Sequence, residues 1–290
     1  MMKILFIAPR FEGGIGGHAK RVAEKLLENG YDVTLMDIPH IPIKKLKNLS
    51  FSLFGTIKAT ISKEKFDVIH AWNIPSAFVM KQINAKKKIL SVHGIYSDQI
   101  AMLHSSTTRI LASTAESKAL KLADMLTTDS KQVKKAYKEK LNVDFVHLAA
   151  PLDTAKFSNI PSSEKIANQI IYVGRDSFEK GIDILRKLES KIHGNIVYCT
   201  DVDWETAMKT LQKSSLIVIP SRVESIPQVI KEAFYLKTPV IAFNVGGISE
   251  IITHNENGIL VEPENSEKLL NEINSLLDNK KEAVRLTKNA

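Results

Sequence analysis

Cysteine and long hydrophobic runs are almost absent from this 290-residue chain. Cys199 is the one cysteine, so no disulfide can form within the chain, and we expect a reducing compartment. No apolar run approaches the roughly 18 residues that a membrane-spanning helix needs, and the first apolar run ends at Pro9 and Arg10. We therefore interpret the N-terminus as a buried strand rather than a signal peptide and expect a cytoplasmic protein.

Glycine and proline are also scarce, at 13 and 10 residues, which excludes collagen-like and low-complexity chains. The remaining composition, 44% hydrophobic and 25% charged, is typical of a globular protein with a substantial core. The length of 290 residues predicts about two domains.

Positive charge is concentrated in the first half of the chain. Residues 1–150 carry 23 Lys and Arg against 13 Asp and Glu, a net charge of +10, whereas residues 151–290 carry 17 against 19, a net charge of −2. A basic half suggests an anionic partner, such as a lipid surface, a phosphorylated acceptor or nucleic acid, although lysines exposed to water explain it equally well. Residues 44–54 mix basic and apolar residues on a predicted helix, and they are the candidate for contact with an anionic membrane. An ordinary packed helix is the alternative.

Short apolar strands alternate with amphipathic helices along the whole chain. This alternation predicts an α/β fold with two Rossmann-like, doubly wound parallel-sheet domains that face a cleft. The polar stretch from Ala150 to Asn168 predicts a linker, so we divide the chain into domains 1–152 and 153–290. The predicted strands are Lys3–Ala8, Asp32–Met36, Val68–Ala71, Lys88–Val92, Met125–Thr127, Phe145–Ala149, Gln169–Val173, Asn195–Cys199, Leu216–Ile219, Val240–Phe243 and Ile259–Val261. The predicted helices are His18–Asn29, Lys131–Leu141, Gly181–Ser190, Trp204–Lys213, Gln228–Leu236, Ile248–Ile252 and Ser266–Leu277.

Glu224 and Glu232 follow the apolar strand Leu216–Ile219 and are the most informative pair in the chain. In open α/β sheets, ligands bind beyond the carboxyl ends of the strands. Eight residues are a little over two helical turns, so we expect the two carboxylates on roughly one face of a helix. Two groups that only accept hydrogen bonds suit a ligand that is rich in hydroxyls.

A glycine-rich run, residues 13–17, lies between the first strand and its helix. Backbone N–H groups at such a helix start form an anion site. Gly14, Gly16 and Ala19, with Asp37 at the end of the next strand, also fit a dinucleotide-binding fingerprint. A dinucleotide-dependent oxidoreductase is therefore one alternative, and a merely flexible turn is another.

Three further loops follow predicted strands. Arg175 and Lys180 flank the loop 174–181, and two cations at a helix start suit a diphosphate, although a surface turn held by ion pairs is the alternative. Gly246 and Gly247 offer backbone donors, or form a simple turn. His93 directly follows the strand Lys88–Val92 at its carboxyl end, where a histidine is either a site residue or structural. The pair Asp201 and Asp203 is a weak candidate for a metal.

Taken in order, these motifs resemble glycosyltransferase family 4, whose members have the GT-B fold, over nearly the whole chain. The stretch from Pro220 to Ala233 and the stretch from Pro239 to Glu250 are the most specific parts, and residues 257–261 match a further family segment. The resemblance implies a retaining, metal-independent, hexosyltransferase-type enzyme without a cofactor. It would transfer a sugar from a nucleotide-diphosphate sugar to a hydroxyl of a lipid-linked, polysaccharide or small-molecule acceptor, in cell-envelope glycan synthesis. No nucleic-acid partner is expected, and the location is cytoplasmic, with peripheral contact at the inner membrane face.

The resemblance also implies a role for each matched residue. Arg175 and Lys180 would hold the donor diphosphate, Glu232 the nucleotide ribose and Glu224 the hydroxyls of the transferred sugar. The backbone of Val245, Gly246 and Gly247 would help to hold the sugar, Gly16 and Gly17 would approach the phosphates, and His93 would lie beside the sugar and acceptor. His93, Arg175, Lys180 and Glu224 form the expected catalytic set.

The chain departs from the family pattern in three places. Ile226 and Pro227 replace the usual Phe-Gly, which is expected to reshape the sugar pocket. The segment between Gly181 and Pro220 is short, and the final helices of the family are expected to be absent or minimal. The chain is then either a compact member of the family or a truncated one. Truncation could produce a non-catalytic nucleotide-sugar-binding protein, which is the second alternative function.

Overall fold

The computed structural model describes residues 1–11, 13–39, 47–61, 64–103 and 106–290, with the backbone alone at 47–49, 61, 99, 101–103 and 106–108. The chain forms two compact units, Met1–Pro151 and Leu152–Ala290. The boundary drawn from the sequence lies one residue later.

The first unit has one six-stranded parallel sheet, ordered β2-β1-β3-β4-β5-β6. Its described elements are β1 (Lys3–Ala8), α1 (Gly13–Glu28), β2 (Asp32–Asp37), α2 (Lys47–Ile61), β3 (Phe66–Ala71), α3 (Ile74–Met80), β4 (Ala85–Ser91), α4 (Tyr96–Leu103), α5 (Ser106–Leu120), β5 (Met125–Thr128), α6 (Lys131–Leu141) and β6 (Val146–His147).

The second unit has one five-stranded parallel sheet, ordered β11-β10-β9-β7-β8. Its elements are β7 (Ile166–Val173), α7 (Ile182–Leu188), β8 (Asn195–Cys199), α8 (Trp204–Lys213), β9 (Ser214–Ile219), α9 (Gln228–Tyr235), β10 (Val240–Phe243), β11 (Ile259–Val261), α10 (Ser266–Asp278) and α11 (Lys280–Lys288). Short 3₁₀ helices lie at Thr154–Asn159, Phe178–Lys180, Glu189–Lys191 and Gly246–Glu250.

Both sheets are covered on their two faces, as continuous apolar strands require. In β9, Leu216 and Val218 belong to one core cluster, and Ile217 and Ile219 belong to the cluster on the opposite face. In β1, Leu5 and Ile7 likewise face one cluster while Ile4, Phe6 and Ala8 face the other. The predicted pair of parallel-sheet α/β domains is therefore confirmed.

The strand order of each sheet reverses at one point, and this positions the candidate site. In the first unit the reversal lies between β1 and β3, and in the second it lies between β7 and β9. Strands on either side of a reversal send their chains to opposite faces, which leaves a crevice at their carboxyl ends. The loops after β7 and β9 therefore flank such a crevice, and these loops carry Lys180 and Glu224.

Several predicted elements differ from the observed ones. The glycine-rich run is not a loop before a helix at His18, because α1 begins at Gly13 with a kink at Gly14 (φ 17°, ψ −120°). The predicted helix Ile248–Ile252 is instead the 3₁₀ turn Gly246–Glu250. Beyond the predicted helix Ser266–Leu277, the chain forms a further helix, α11.

The candidate membrane segment 44–54 lies partly outside the described residues, which resume with α2 at Lys47. None of the described helices combines the length and the apolar character that crossing a membrane demands.

Candidate functional site

Lys180 and Glu224 lie on the two loops that flank the strand reversal of the second unit. The Lys180 amine donates a hydrogen bond of 2.6 Å to Glu224 Oε1, and Ser221 Oγ donates one of 2.8 Å to the same oxygen. The Glu224 side chain is 9% exposed and that of Lys180 is 25% exposed. The structure thus brings together two predicted site residues as a largely buried ion pair.

Two glycines hold the Glu224 loop at a distance that no other residue would permit. Gly181 has a φ of +69°, and a Cβ on it would lie 1.8 Å from the Pro220 carbonyl oxygen. Gly246 has a φ of +54°, and its Cβ would lie 1.8 Å from the Glu224 carbonyl oxygen. Gly247 N–H donates to Ser225 O at 2.8 Å. The three motif loops therefore pack backbone against backbone, which requires glycine at 181 and 246.

Arg222 joins the same loops through its side chain. Its guanidinium forms a fork with Asp183 at 2.7 and 3.0 Å and donates to the Phe178 carbonyl at 2.6 Å. It also pairs with Glu264 at 2.6 Å and lies 3.8 Å from the centre of the Phe178 ring. The Arg222 hydrogen bonds hold the pKa of the Asp183 carboxyl below its usual value. Sequence reasoning missed Arg222, although it sits two residues before Glu224 in the motif.

Arg175 is placed differently from Lys180. Its side chain is 69% exposed and forms an ion pair with Glu179 at 3.2 Å. The Arg175 carbonyl accepts a hydrogen bond of 2.8 Å from the Tyr172 hydroxyl, whose pKa is raised by burial. The loop after β7 therefore carries one half-buried cation and one exposed cation.

The expectation that Glu224 and Glu232 share a helical face is wrong. Helix α9 begins only at Gln228, and Glu224 lies in the loop before it. Pro227 is the reason: the residue before a proline is driven out of the helical region, and Pro227 itself is extended (ψ 123°). Glu232 lies within α9, and its Oε1 accepts a hydrogen bond of 2.9 Å from the Trp204 indole. Trp204 was predicted only as the start of a helix and not as a site residue.

Asp203 caps a helix. Its carboxylate accepts hydrogen bonds from Thr206 N at 2.9 Å and Thr206 Oγ1 at 2.6 Å, which starts α8 and lowers the pKa of Asp203. These local contacts give Asp203 a structural role as a helix cap.

In the first unit, Gly16 and Gly17 lie inside the first turns of α1 rather than in a loop before it. Gly16 is buried, and a Cβ on it would meet the Arg10 carbonyl oxygen at 1.9 Å. Gly17 is half-buried. This close approach is the structural reason for glycine at 16.

His93 lies in a buried cluster at the carboxyl ends of the strands of the first unit. His93 Nδ1 lies 3.1 Å from Asp129 Oδ1, and the two side chains are 7% and 5% exposed. The Trp72 ring stacks on His70 at 4.2 Å and on His93 at 6.0 Å. His18 contacts both Trp72 and His93 edge-on, at 5.0 and 5.3 Å. Asp129, on the neighbouring strand end, is thus placed to orient the His93 ring.

Within the described residues, one group of side chains has metal-ligand geometry. The ligand atoms of His18, His93 and Asp129 all lie within 4.8 Å of one another. The set is chemically suited to a transition metal such as zinc.

Burial also makes His70 a neutral histidine. Desolvation, with smaller contributions from His93 and His18, lowers the pKa of His70 to about 3. Its Nε2 lies 2.7 Å from Ser91 Oγ, and Ser91 Oγ forms a further hydrogen bond of 2.5 Å with Thr127 Oγ1.

Comparison with known protein families gives two matches that together span most of the chain. Residues 12–150 match the model described as Glycosyltransferase Family 4, and residues 186–290 match the model described as Glycosyl transferases group 1. An uncharacterized glycosyltransferase of Methanocaldococcus jannaschii is 26% identical, with 92% of this chain and 87% of that protein covered.

Two solved structures share the fold over the whole length of the chain. Sucrose-phosphate synthase from Thermosynechococcus elongatus has a TM-score of 0.77 at 20% identity, covering 100% of this chain and 93% of that one. HepE from Anabaena, in complex with UDP-glucose, has a TM-score of 0.73 at 16% identity with the same coverage. The alternative of a dinucleotide-dependent oxidoreductase finds no support in these matches. The chain belongs to glycosyltransferase family 4 and has the GT-B fold.

Proposed function

We propose that the chain is a retaining hexosyltransferase that moves a sugar from a nucleotide-diphosphate sugar to a hydroxyl acceptor. The observation that carries the proposal is the 2.6 Å pair of Lys180 and Glu224 at the strand reversal of the second unit. One cation and one carboxylate, held together by backbone packing, suit a donor that is both a diphosphate and a polyol.

The leaving group of such a reaction is a nucleoside diphosphate, which gains negative charge as the glycosidic bond breaks. Lys180 would stabilise that charge, since a fixed cation in a partly buried loop loses little energy to solvent reorganisation. Arg175 on the same loop would add a second cation, whose exposed side chain is accessible to the phosphates. Together they would supply the charge that a divalent metal supplies in other transferases.

The carboxylates would recognise hydroxyl groups. Glu224 would accept hydrogen bonds from the transferred sugar, and Glu232 from the nucleotide ribose. The backbone of Val245, Gly246 and Gly247 would hold the sugar from the neighbouring loop.

The first unit would contribute the acceptor side of the reaction. His93, oriented by Asp129, would contact the sugar and the acceptor, and the backbone at Gly16 and Gly17 would approach the phosphates. The acceptor would be a lipid-linked glycan, a polysaccharide or a small-molecule glycoside. With either of the first two acceptors, the enzyme would act in cell-envelope glycan synthesis.

For retention, we propose a front-face transfer. The bond from the anomeric carbon to the diphosphate oxygen breaks as the acceptor oxygen bonds to the same face of that carbon. The acceptor proton passes to the departing phosphate oxygen, so the balance needs no further base. Proton NMR of the first product tests this step, because an inverted anomeric configuration would contradict it.

Independence of metal is part of the proposal. Transfer by enzyme dialysed against EDTA should equal that of untreated enzyme. A loss of activity that Zn²⁺ or Mn²⁺ restores would contradict the proposal and would point to His18, His93 and Asp129 as ligands.

The last proposed partner is an anionic membrane, which the protein would contact peripherally at the cytoplasmic face. Helix α2 exposes Leu53 (56%), Phe54 (37%) and Ile57 (49%), in the half of the chain that carries net charge +10. An apolar helix face in a basic region is typical of a surface that binds anionic lipid. Flotation with phosphatidylserine vesicles tests it, and binding that survives replacement of Lys44, Lys45 and Lys47 by Glu would contradict it.

The test of the main proposal is a panel of UDP-, GDP- and ADP-sugars, measured by calorimetric binding and by transfer to glycoside acceptors. The protein in which Glu232 is replaced by Ala serves as the reference. We expect one nucleotide class to bind and turn over, and Glu232→Ala to weaken its binding. Binding that the variant leaves unchanged would refute the assignment, and tight binding without transfer or hydrolysis would indicate the non-catalytic alternative.

A further inference from the structure

The hydrogen bond from Trp204 to Glu232 joins two helices of the second unit. The indole N–H of Trp204, the first residue of α8, donates to Glu232 Oε1 of α9 at 2.9 Å across 28 residues of sequence. Both side chains are half-buried. An indole N–H is only a donor, so this contact fixes which carboxylate oxygen faces α8.

The Trp204 ring is itself held on two sides. The Asp203 cap fixes the start of α8 through hydrogen bonds of 2.9 and 2.6 Å to Thr206. The Phe157 ring meets the Trp204 ring edge-on at 5.1 Å and lies 4.4 Å from the ring of Tyr235, which belongs to α9. Because Phe157 is only 5% exposed, the indole and the helix that bears Glu232 are packed onto one buried ring.

We propose that Trp204 is a positioning residue that makes the donor site selective for ribonucleotides. The inference rests on the proposed function, in which Glu232 accepts from the ribose. A carboxylate offers about four lone-pair positions, so Glu232 accepts from the indole and from ribose hydroxyls at the same time. The indole contact holds the carboxylate plane in one orientation, which prepares the remaining positions for a ribose diol.

The energetic consequence falls on the ribose hydroxyls alone. Hydrogen bonds to a charged group change affinity by about 10-fold or more. Without the indole, the carboxylate loses one of the contacts that orient it, and the ribose hydroxyls must supply that part of its orientation when they bind. A nucleotide that lacks the 2′-hydroxyl gains less affinity from the prepared orientation. It therefore loses less affinity when the indole is removed.

The matched variants are Trp204→Phe and Tyr198→Phe. Each keeps an aromatic ring and removes one hydrogen bond to a glutamate, because the Tyr198 hydroxyl donates to Glu189 at 3.2 Å. Binding of UDP, GDP and ADP, each beside its 2′-deoxy counterpart, is measured by calorimetry, and a thermal melt is recorded for each variant. Glu232→Ala is measured in parallel.

We expect the wild type to prefer the ribonucleotide by about 10-fold or more, and Trp204→Phe to bring this preference below about threefold by weakening the ribonucleotide more than the 2′-deoxynucleotide. Tyr198→Phe should keep the wild-type preference. Retention of the preference in Trp204→Phe overturns the inference, and so does an equal weakening of both nucleotides, with or without a lower melting temperature.

The outcomes also separate this inference from the proposed function. If Glu232→Ala loses the preference while Trp204→Phe keeps it, only the role of Trp204 falls. If Glu232→Ala keeps the preference, or the wild type binds none of the six nucleotides, both the ribose assignment and the role of Trp204 fall.

Discussion

Lys180 donates a hydrogen bond of 2.6 Å to Glu224, 44 residues further along the chain. The contact joins the loops after β7 and β9, on either side of the strand reversal. A diphosphate that binds there has to share the amine with the carboxylate. The ion pair therefore holds the cation in place before the proposed donor arrives.

Replacing Lys180 by Met should lower the turnover of sugar transfer by about 100-fold or more, because a developing anion loses its fixed cation. Steady-state transfer assays at saturating donor measure the effect. Lys268→Met, on α10 and outside the motif loops, is the control, since it removes an exposed lysine–glutamate pair with Glu262 at 3.1 Å. Equal activity of the two variants would contradict a role for Lys180 in the leaving-group step.

Replacing Arg222 by Lys should destabilise the second unit by about 2 kcal/mol, because a single amine cannot reproduce the fork to Asp183 and the bond to the Phe178 carbonyl. Urea unfolding gives the change in free energy. Arg186→Lys breaks a similar fork with Asp176, but both partners are about half exposed. That control should lower the free energy of unfolding by less than about 1 kcal/mol. An equal loss in both variants would contradict a larger structural role for the Arg222 fork than for the exposed one.

Replacing Asp129 by Asn should lower turnover by about 10- to 100-fold, because the His93 ring loses the carboxylate that orients it. Transfer assays with saturating donor and acceptor measure this. Asp144→Asn, at an exposed carboxylate paired with Lys138, is the matched control and should be neutral. Wild-type turnover in Asp129→Asn would show that the buried dyad serves packing alone.

Strands such as Leu216–Ile219 were predictable from sequence because a sheet covered on both faces requires an apolar run. Helix α3 was not predicted, because its residues, Ile74–Met80, are almost all buried. It therefore has no polar face that would reveal a helical period in the sequence. The glutamate pair was recognised, but its geometry was misjudged, because Pro227 delays the start of α9 to Gln228.

The partners of the site residues were less predictable than the residues themselves. Arg222 was visible in the motif, yet its side-chain contacts are with three residues distant in sequence, Phe178, Asp183 and Glu264. Trp204 meets Glu232 only because α8 and α9 pack side by side, and no local spacing encodes that contact. The roles of the site residues in catalysis remain predictions.

Acidification should destabilise the first unit. The pKa of His70 is about 3 in the folded protein against an ordinary value of 6.5, so the unfolded chain binds more protons between these values. Stability therefore rises with pH across this window and falls as pH drops below about 6.5, by about 2 kcal/mol at pH 5. Urea unfolding of the wild type and His70→Asn at pH 7.5 and pH 5 measures the difference. The variant should lose less stability than the wild type over this interval; an identical loss would contradict the assignment.

Gly181 and Gly246 approach the Glu224 loop so closely that a methyl group on either would overlap a carbonyl oxygen. The wall around the proposed donor is thus built from main chain, and its shape tolerates little adjustment. Directed evolution toward another sugar should then fail at these two glycines. A change of sugar preference should instead come from substitution of other side chains on the fixed loop. Ile226 is the first position to randomise.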